Sequence, residues 1–266
     1  MATAPGSKRL GRRLPARIAT AALGSVDQSG FPARVSEALT VADSKRAFHR
    51  AFPHVIGPLY RRLVDELLVE LHLLSRQRGF QPDSLFAVGV VQVFDSLSRG
   101  YRPETQREPL FQALCAACGY DGATLRSQAD AAIQAIGHHS VEAVRGWVEQ
   151  QGEGAPEPLA AALHGIRRDD FHYSRLMAVG LLCLLEKAQG AESMEPQDLR
   201  KAAHDLGAAM GLLRDRLDKD LSQYAGTLEK MAQAVELMEE TVAAERRRRE
   251  RQEVSAAPPE AAPSAG

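Results

Sequence analysis

Two glutamates four residues apart, Glu66 and Glu70, stand in the stretch YRRLVDELLVELHLL from Tyr60 to Leu74, with His72 two positions further on. Carboxylates at that spacing can hold a metal, share a proton in acid–base work, or answer basic side chains while the rest of a helix packs. Helical geometry separates these roles. At about 100° per residue, Leu63, Leu67, Leu71 and Leu74 fall within roughly 80° of one another, and Glu66 and Glu70 lie just beside them. His72 projects to the opposite side. A di-iron carboxylate helix needs Glu-x-x-His so that both ligands share one face, but the residue three after Glu70 is Leu73. The pattern makes Glu66 and Glu70 candidate structural acids, with Arg62 at i−4 from Glu66 as the nearest basic partner.

Cys115-Ala-Ala-Cys118 has the spacing of a thiol redox pair, a chemistry that wants a helix N-terminus to stabilise the thiolate. This pair falls at a helix C-terminus, and no second pair completes a zinc site, so buried structural thiols are expected. His138-His139 lies between helices with no carboxylate or cysteine at ligand spacing, which reads as exposed turn residues. No Gly-x-Ser-x-Gly, phosphate-binding loop or dinucleotide fingerprint occurs. No catalytic, cofactor-binding or metal-ligating residue is therefore assigned. The strongest charge run is Arg246, Arg247, Arg248 and Arg249, followed by Arg251. It is either a solvated helix end whose cations oppose the C-terminal dipole, or a candidate docking patch for an acidic protein or lipid surface.

The whole chain sets the frame for these residues. Its 266 residues are 44% hydrophobic and 25% charged, enough to bury a sizeable core. Lys+Arg 33 against Asp+Glu 34 leaves a net charge of −1, so no overall field draws nucleic acid, and none is expected as a partner. Three cysteines, an odd count in a long chain, argue for a reducing compartment. No run of about eighteen apolar residues exists, so a membrane can be touched but not crossed.

Stop and start signals divide the chain into helices. Thr40, Asp43 and Ser44 offer caps to a helix ending near Phe52, and Pro58 opens another that Gly79 closes. Pro82 and Asp83 start LFAVGVVQVFDSL, apolar nearly all round and so central, with Gly89 permitting close helix approach. Further helices are predicted from Pro103 towards Cys118, from Asp121 to Ile136, over Val141 to Gln151, Leu159 to Leu163, and Tyr173 to Lys187. Gly207 and Gly211 mark a break. Leu217, Leu221, Tyr224, Leu228, Met231, Val235, Met238 and Val242 then follow in steps of four and three, a heptad seam on one helix from about Leu213 to Glu250. The expected fold is all-α. Residues 1–36 form a basic, disordered extension, 37–212 one multi-helix domain, 213–252 the long C-terminal helix, and 253–266 a disordered Pro-Ala tail.

Five stretches in order, TVADSKRAF, YRRLVDELLVELHLL, DSLFAVGVVQVFDSLSRGYRPE, YSRLMAVGLLCLLE and LEKMAQAVELMEETVAAERRRRE, resemble the thylakoid formation protein family of cyanobacteria and chloroplasts. The resemblance runs across roughly residues 40 to 250. It implies an all-helical, non-enzymatic protein that supports photosystem II assembly and repair. It also implies association with the thylakoid FtsH protease, contact with photosystem II intermediates, and a peripheral position on the cytoplasmic or stromal face of the thylakoid membrane. No cofactor is implied. The short basic N-terminal extension favours a cyanobacterial source over a plastid one. Two rival readings stand beside this: a helical-bundle metal or haem enzyme using Glu66 and Glu70, and a peripheral lipid-binding protein.

Overall fold

The computed structural model describes residues 39–256 apart from 167, 170 and 213. The proposed extension over 1–36 and the end of the tail lie outside the described residues. Among the described residues ten α-helices follow one another: α1 Val41–Ala51, α2 Pro58–Arg76, α3 Ser84–Leu97, α4 Arg107–Ala117, α5 Gly122–Ile136, α6 Val141–Glu149, α7 Glu157–Gly165, α8 Arg175–Lys187, α9 Pro196–Ala209 and α10 Arg214–Ala256. Among the described residues no strand forms, and the fold is all-α.

The capping chemistry accounts for most starts. Thr40 forms a reciprocal capping box with Asp43, while Asp83, Asp121, Ser140 and Ser174 each accept a backbone N–H of the turn they open. Pro58 occupies the first turn of α2, where its missing N–H costs nothing.

α3 is the axle of the domain. It is buried along most of its length, packs on both α5 and α8, and is braced by α7 and the inner part of α10. α1, α2 and α4 form a second group beside it, and α9 bridges α8 and α10. Phe86, Phe94, Phe111, Leu71, Leu110 and Leu114 are among the fully buried side chains of the single core cluster. At its edge Arg126 lies over the Phe111 ring, 4.2 Å from the centroid, and joins Asp95 and Glu108 in ion pairs at 3.0 and 2.8 Å. This ties α3, α4 and α5 together on the surface.

Two features differ from expectation. The sequence reading names no helix between Gly190 and Leu213, yet α9 fills that interval. Its buried stripe is Leu199, Ala202, Ala203 and Leu206, half of it alanine, so its hydrophobic periodicity is faint. Gly207 is likewise not a break. It sits inside α9, where an added Cβ would lie 2.6 Å from Leu217 Cδ2; only Gly211, at φ 79°, takes the left-handed conformation that ends the helix. α10 then runs for 43 residues, about 64 Å at 1.5 Å per residue, and stays helical to Ala256, past the expected end at 252.

Candidate functional site

The α2 face that opened the question is occupied by arginines. Arg62 Nε donates to Glu66 Oε1 at 2.7 Å, the expected i,i+4 pair, with both groups largely open to water. Glu70 finds a different partner, from far along the chain: Arg175, the first residue of α8, donates from Nε to Glu70 Oε2 at 2.7 Å. The Glu70 side chain is only 17% exposed. Burial pushes its carboxyl above the usual carboxylate range; Arg175 opposes that rise, and the nearby Asp220 and Glu66 charges add to it. Asp220, on α10, accepts the Tyr173 hydroxyl at 2.8 Å, and Arg216 covers the Tyr173 ring. Glu70, Arg175, Tyr173 and Asp220 thus clamp α2, the start of α8 and the inner part of α10. A metal at Glu70 would have to displace a guanidinium. Among the described residues, no group of three or more His, Cys, Asp or Glu side chains is placed to hold a metal ion.

His72 does not face away from the packing surface. It is buried, with Nδ1 2.8 Å from the Ser44 hydroxyl of α1. The buried positions of α2, Tyr60, Val64, Leu67, Leu68, Leu71, His72 and Leu74, form one arc of about 160° with His72 at its edge; it is broader than the leucine stripe the sequence suggests because α1 packs beside α2.

The thiols are as expected. Cys115, Cys118 and Cys183 are all free and buried, and burial pushes each up to about 12. Cys118 donates to the Leu68 carbonyl at 3.4 Å, filling a gap between α4 and α2. His138 is exposed, but His139 is half-buried with its ring edge-on to Trp147, 4.8 Å between centroids. The His139 carbonyl also accepts the Gln189 N–H at 2.8 Å, pinning the turn to the end of α8. The half-buried ring departs from the exposed pair the sequence suggests, and its cause is the only tryptophan of the chain, eight residues downstream.

α10 changes character along its length. Leu217 and Leu221 are buried, and Tyr224, Leu228 and Met231 pack partly against the core. Val235 rests on Gly100, where an added Cβ would lie 2.7 Å from Val235 Cγ1. From Thr241 to Gln252 every residue is exposed, and this stretch carries Arg246, Arg247, Arg248 and Arg249. Glu245 lies 3.7 Å from Arg249 Nε. The heptad seam therefore serves first as a core element of the domain, and the arginine run sits where the domain no longer covers the helix. Among the described residues, no helix is long and apolar enough to cross a membrane.

The network around Glu70 was invisible in the sequence, because its partners lie 105 and 150 positions away and carry no local signal.

Known proteins resemble this chain in both sequence and fold. A sequence model of the thylakoid formation protein family matches residues 40–253. The chain is similar to Protein Thf1 of Prochlorococcus marinus strain MIT 9313, 55% identical over 213 residues that make up 80% of this chain and 88% of that protein. It is also similar to Protein Thf1 of Synechococcus sp. strain CC9902, 48% identical over 80% of this chain and 93% of that protein. A solved structure of Psb29 superposes with a TM-score of 0.69 at 34% identity, covering 80% of this chain and 99% of that one. With a family model matching residues 40–253 and relatives 55% and 48% identical over 80% of its length, the chain belongs to the thylakoid formation protein family.

Proposed function

We propose that this chain is a non-enzymatic adaptor at the cytoplasmic or stromal surface of the thylakoid, supporting photosystem II assembly and repair by binding and stabilising the FtsH protease. Membership of a family named for thylakoid formation supports the setting. The observation that carries the mode of action is the basic helix end. Arg246 to Arg249 stand on a rigid helix beyond the domain, where a partner's acidic surface can reach them without disturbing the core. Guanidinium groups suit such contacts, because they pair bidentately with carboxylates and are weakly hydrated. The acids of α2 serve the fold in this reading, since Glu66 and Glu70 are each paired with an arginine.

The test is replacement of Arg246, Arg247, Arg248 and Arg249 with Glu in the cell. Expected are normal accumulation of the variant, loss of the protease from affinity capture, reduced protease abundance, and slowed recovery of photosystem II after strong light. Normal capture and normal recovery would refute docking through this end. If capture is normal but the variant no longer floats with vesicles containing anionic lipid, the run is a membrane contact instead.

A further inference from the structure

α10 is held from one side at two points. Leu217 fits a notch at Gly207 of α9, where an added Cβ would lie 2.6 Å from Leu217 Cδ2. Val235 fits a second notch at Gly100, in the turn between α3 and α4, where an added Cβ would lie 2.7 Å from Val235 Cγ1. Leu217 and Val235 stand eighteen residues apart, about five turns of helix, so both point to the same side at a separation of about 27 Å. The outer notch is firmly built. Gly100 takes φ 81°, a conformation open to glycine, and a Cβ there would also meet the Tyr60 hydroxyl at 3.2 Å. From α2, that hydroxyl donates to the Arg99 carbonyl at 3.2 Å, and the Tyr60 ring stands edge-on to buried Tyr101. From α4, Arg107 Nε donates to Ser98 Oγ at 2.8 Å. Between the two notches the seating is looser: Tyr224, Leu228 and Met231 pack only partly on the core, and a groove stays open beside Leu228, Met231 and the α3 residues Gln92 and Ser96.

We propose that Gly100 and Val235 are positioning residues for the arginine run: the notch in the turn after α3 sets the direction in which α10 leaves the domain, and so where Arg246 to Arg249 meet their partner. A helix held at one point can pivot, whereas a helix held at two is aimed. Arg246 lies about 16 Å beyond Val235 but about 44 Å beyond Leu217. With the outer hold lost, the same angular freedom displaces the arginines roughly two to three times as far. Ion pairs tolerate little of that spread, since nitrogen and oxygen must close to within about 4 Å. Val235 stands eleven residues before the first arginine and acts only through the helix. Holding the run in place beforehand also removes part of the orientational cost of binding. The partner that gains from this presents its acidic groups at one fixed place, as a folded protein surface does and fluid lipid headgroups do not. The direction of α10 is a property of the fold alone; its use in docking rests on the protease reading.

Double electron–electron resonance on the full chain tests the direction. The native thiols are buried, so nitroxides attach to introduced cysteines: Ser127→Cys on α5 paired with Ala243→Cys beyond the outer notch, or with Ser222→Cys near the inner one, all three at exposed positions. The 127–243 distance distribution should broaden at least about twofold in Val235→Ala and in Gly100→Ala. It should stay as in the parent in Val242→Ala, which alters the same stripe past the notch. The 127–222 distribution should not change in any of them. In the cell, Val235→Ala keeps all four arginines, yet should weaken affinity capture of FtsH by at least about fivefold, with Val242→Ala normal. An unchanged 127–243 width in both notch variants overturns the aiming, and so does equal broadening at 222, which would mean that the whole helix leaves the domain. Broadening with normal capture, or equal loss of capture in Val242→Ala, overturns the positioning role while the docking reading stands. If replacing the arginines with Glu leaves capture normal, the docking reading and the positioning role fall together, and the distances still decide the direction.

Discussion

Gly89 of α3 and Gly180 of α8 face each other's helix backbone at a crossing with no room for a side chain. A Cβ on Gly89 would lie 1.8 Å from the Leu176 carbonyl oxygen, and one on Gly180 would lie 2.1 Å from that of Leu85. The two most buried helices of the domain are joined there by main chain on main chain. Gly89→Ala and Gly180→Ala should each cost at least about 3 kcal/mol, the upper part of the range for overpacking, because backbone cannot turn aside as a side chain can. Gly226, inside α10 with nothing within 4 Å of its would-be Cβ, should show the opposite sign. Gly226→Ala should stabilise by up to about 1 kcal/mol. Urea unfolding of the three variants is the check.

Arg175 and Glu70 should prove unequal partners. Removing Arg175 leaves a carboxylate in a site that already disfavours its charge, so Arg175→Met should cost about 2 kcal/mol at neutral pH, discounted from fully buried pairs because Arg175 is 37% exposed. Glu70→Gln removes the disfavoured charge along with the pair and should stay within about 1 kcal/mol of the parent. The pH dependence has a definite sign. Glu70 is raised in the folded state, so its neutral form contributes stability that is fully present below the ordinary value of 4.5 and is lost as pH rises through the raised one. Melting curves of parent and Glu70→Gln should therefore diverge over that window, with the parent falling and the variant flatter. A parent that gains stability relative to the variant over the window would contradict this.

Ser44→Ala should reveal the buried hydrogen bond of α1. With the hydroxyl gone, the His72 ring nitrogen is left without its partner in a dry site, at a cost of about 1 to 3 kcal/mol. Exposed Ser→Ala changes elsewhere should stay within about 0.5 kcal/mol. Equal, negligible losses at both kinds of site would show that His72 is solvated.

The three thiols should be silent in the native protein. Each is buried and pushed up to about 12, so almost no thiolate is present at neutral pH to attack a disulfide reagent. Dithiobis(nitrobenzoate) should react only as fast as the chain opens, and the three sites should become reactive together on adding denaturant. Rapid labelling of Cys115 or Cys118 in native buffer would restore the redox reading of that pair.

Helices with punctuation were readable residue by residue. Asp83, Asp121, Pro58 and Gly79 announce their ends because caps and breakers act within one turn, and the central place of α3 follows from a stretch with no polar face. α9 was lost because alanines bury little area, so its stripe barely rises above its surroundings. The pairings of Glu70 with Arg175 and of Ser44 with His72 were beyond reach for a different cause. Each joins helices whose relative placement is decided by the packing of all the others, and neither partner differs in type from an ordinary surface residue. The basic end of α10 stood out from composition alone, since five arginines in six residues have no counterpart elsewhere in the chain.

The length of α10 gives the fold a mechanical property. Its inner turns are gripped between α8, α9 and α3, while its free end lies about 32 Å beyond Val235 along an unbroken helix. Such a rod acts as a lever. A tilt of about 5° at the grip carries the tip through roughly 3 Å over that free length. The root of the rod is Leu217, seated in the cleft that Gly207 leaves for it. A bulkier residue at the Gly207 cleft is therefore expected to unseat Leu217 and to re-aim the exposed end of α10, since the two belong to one continuous helix.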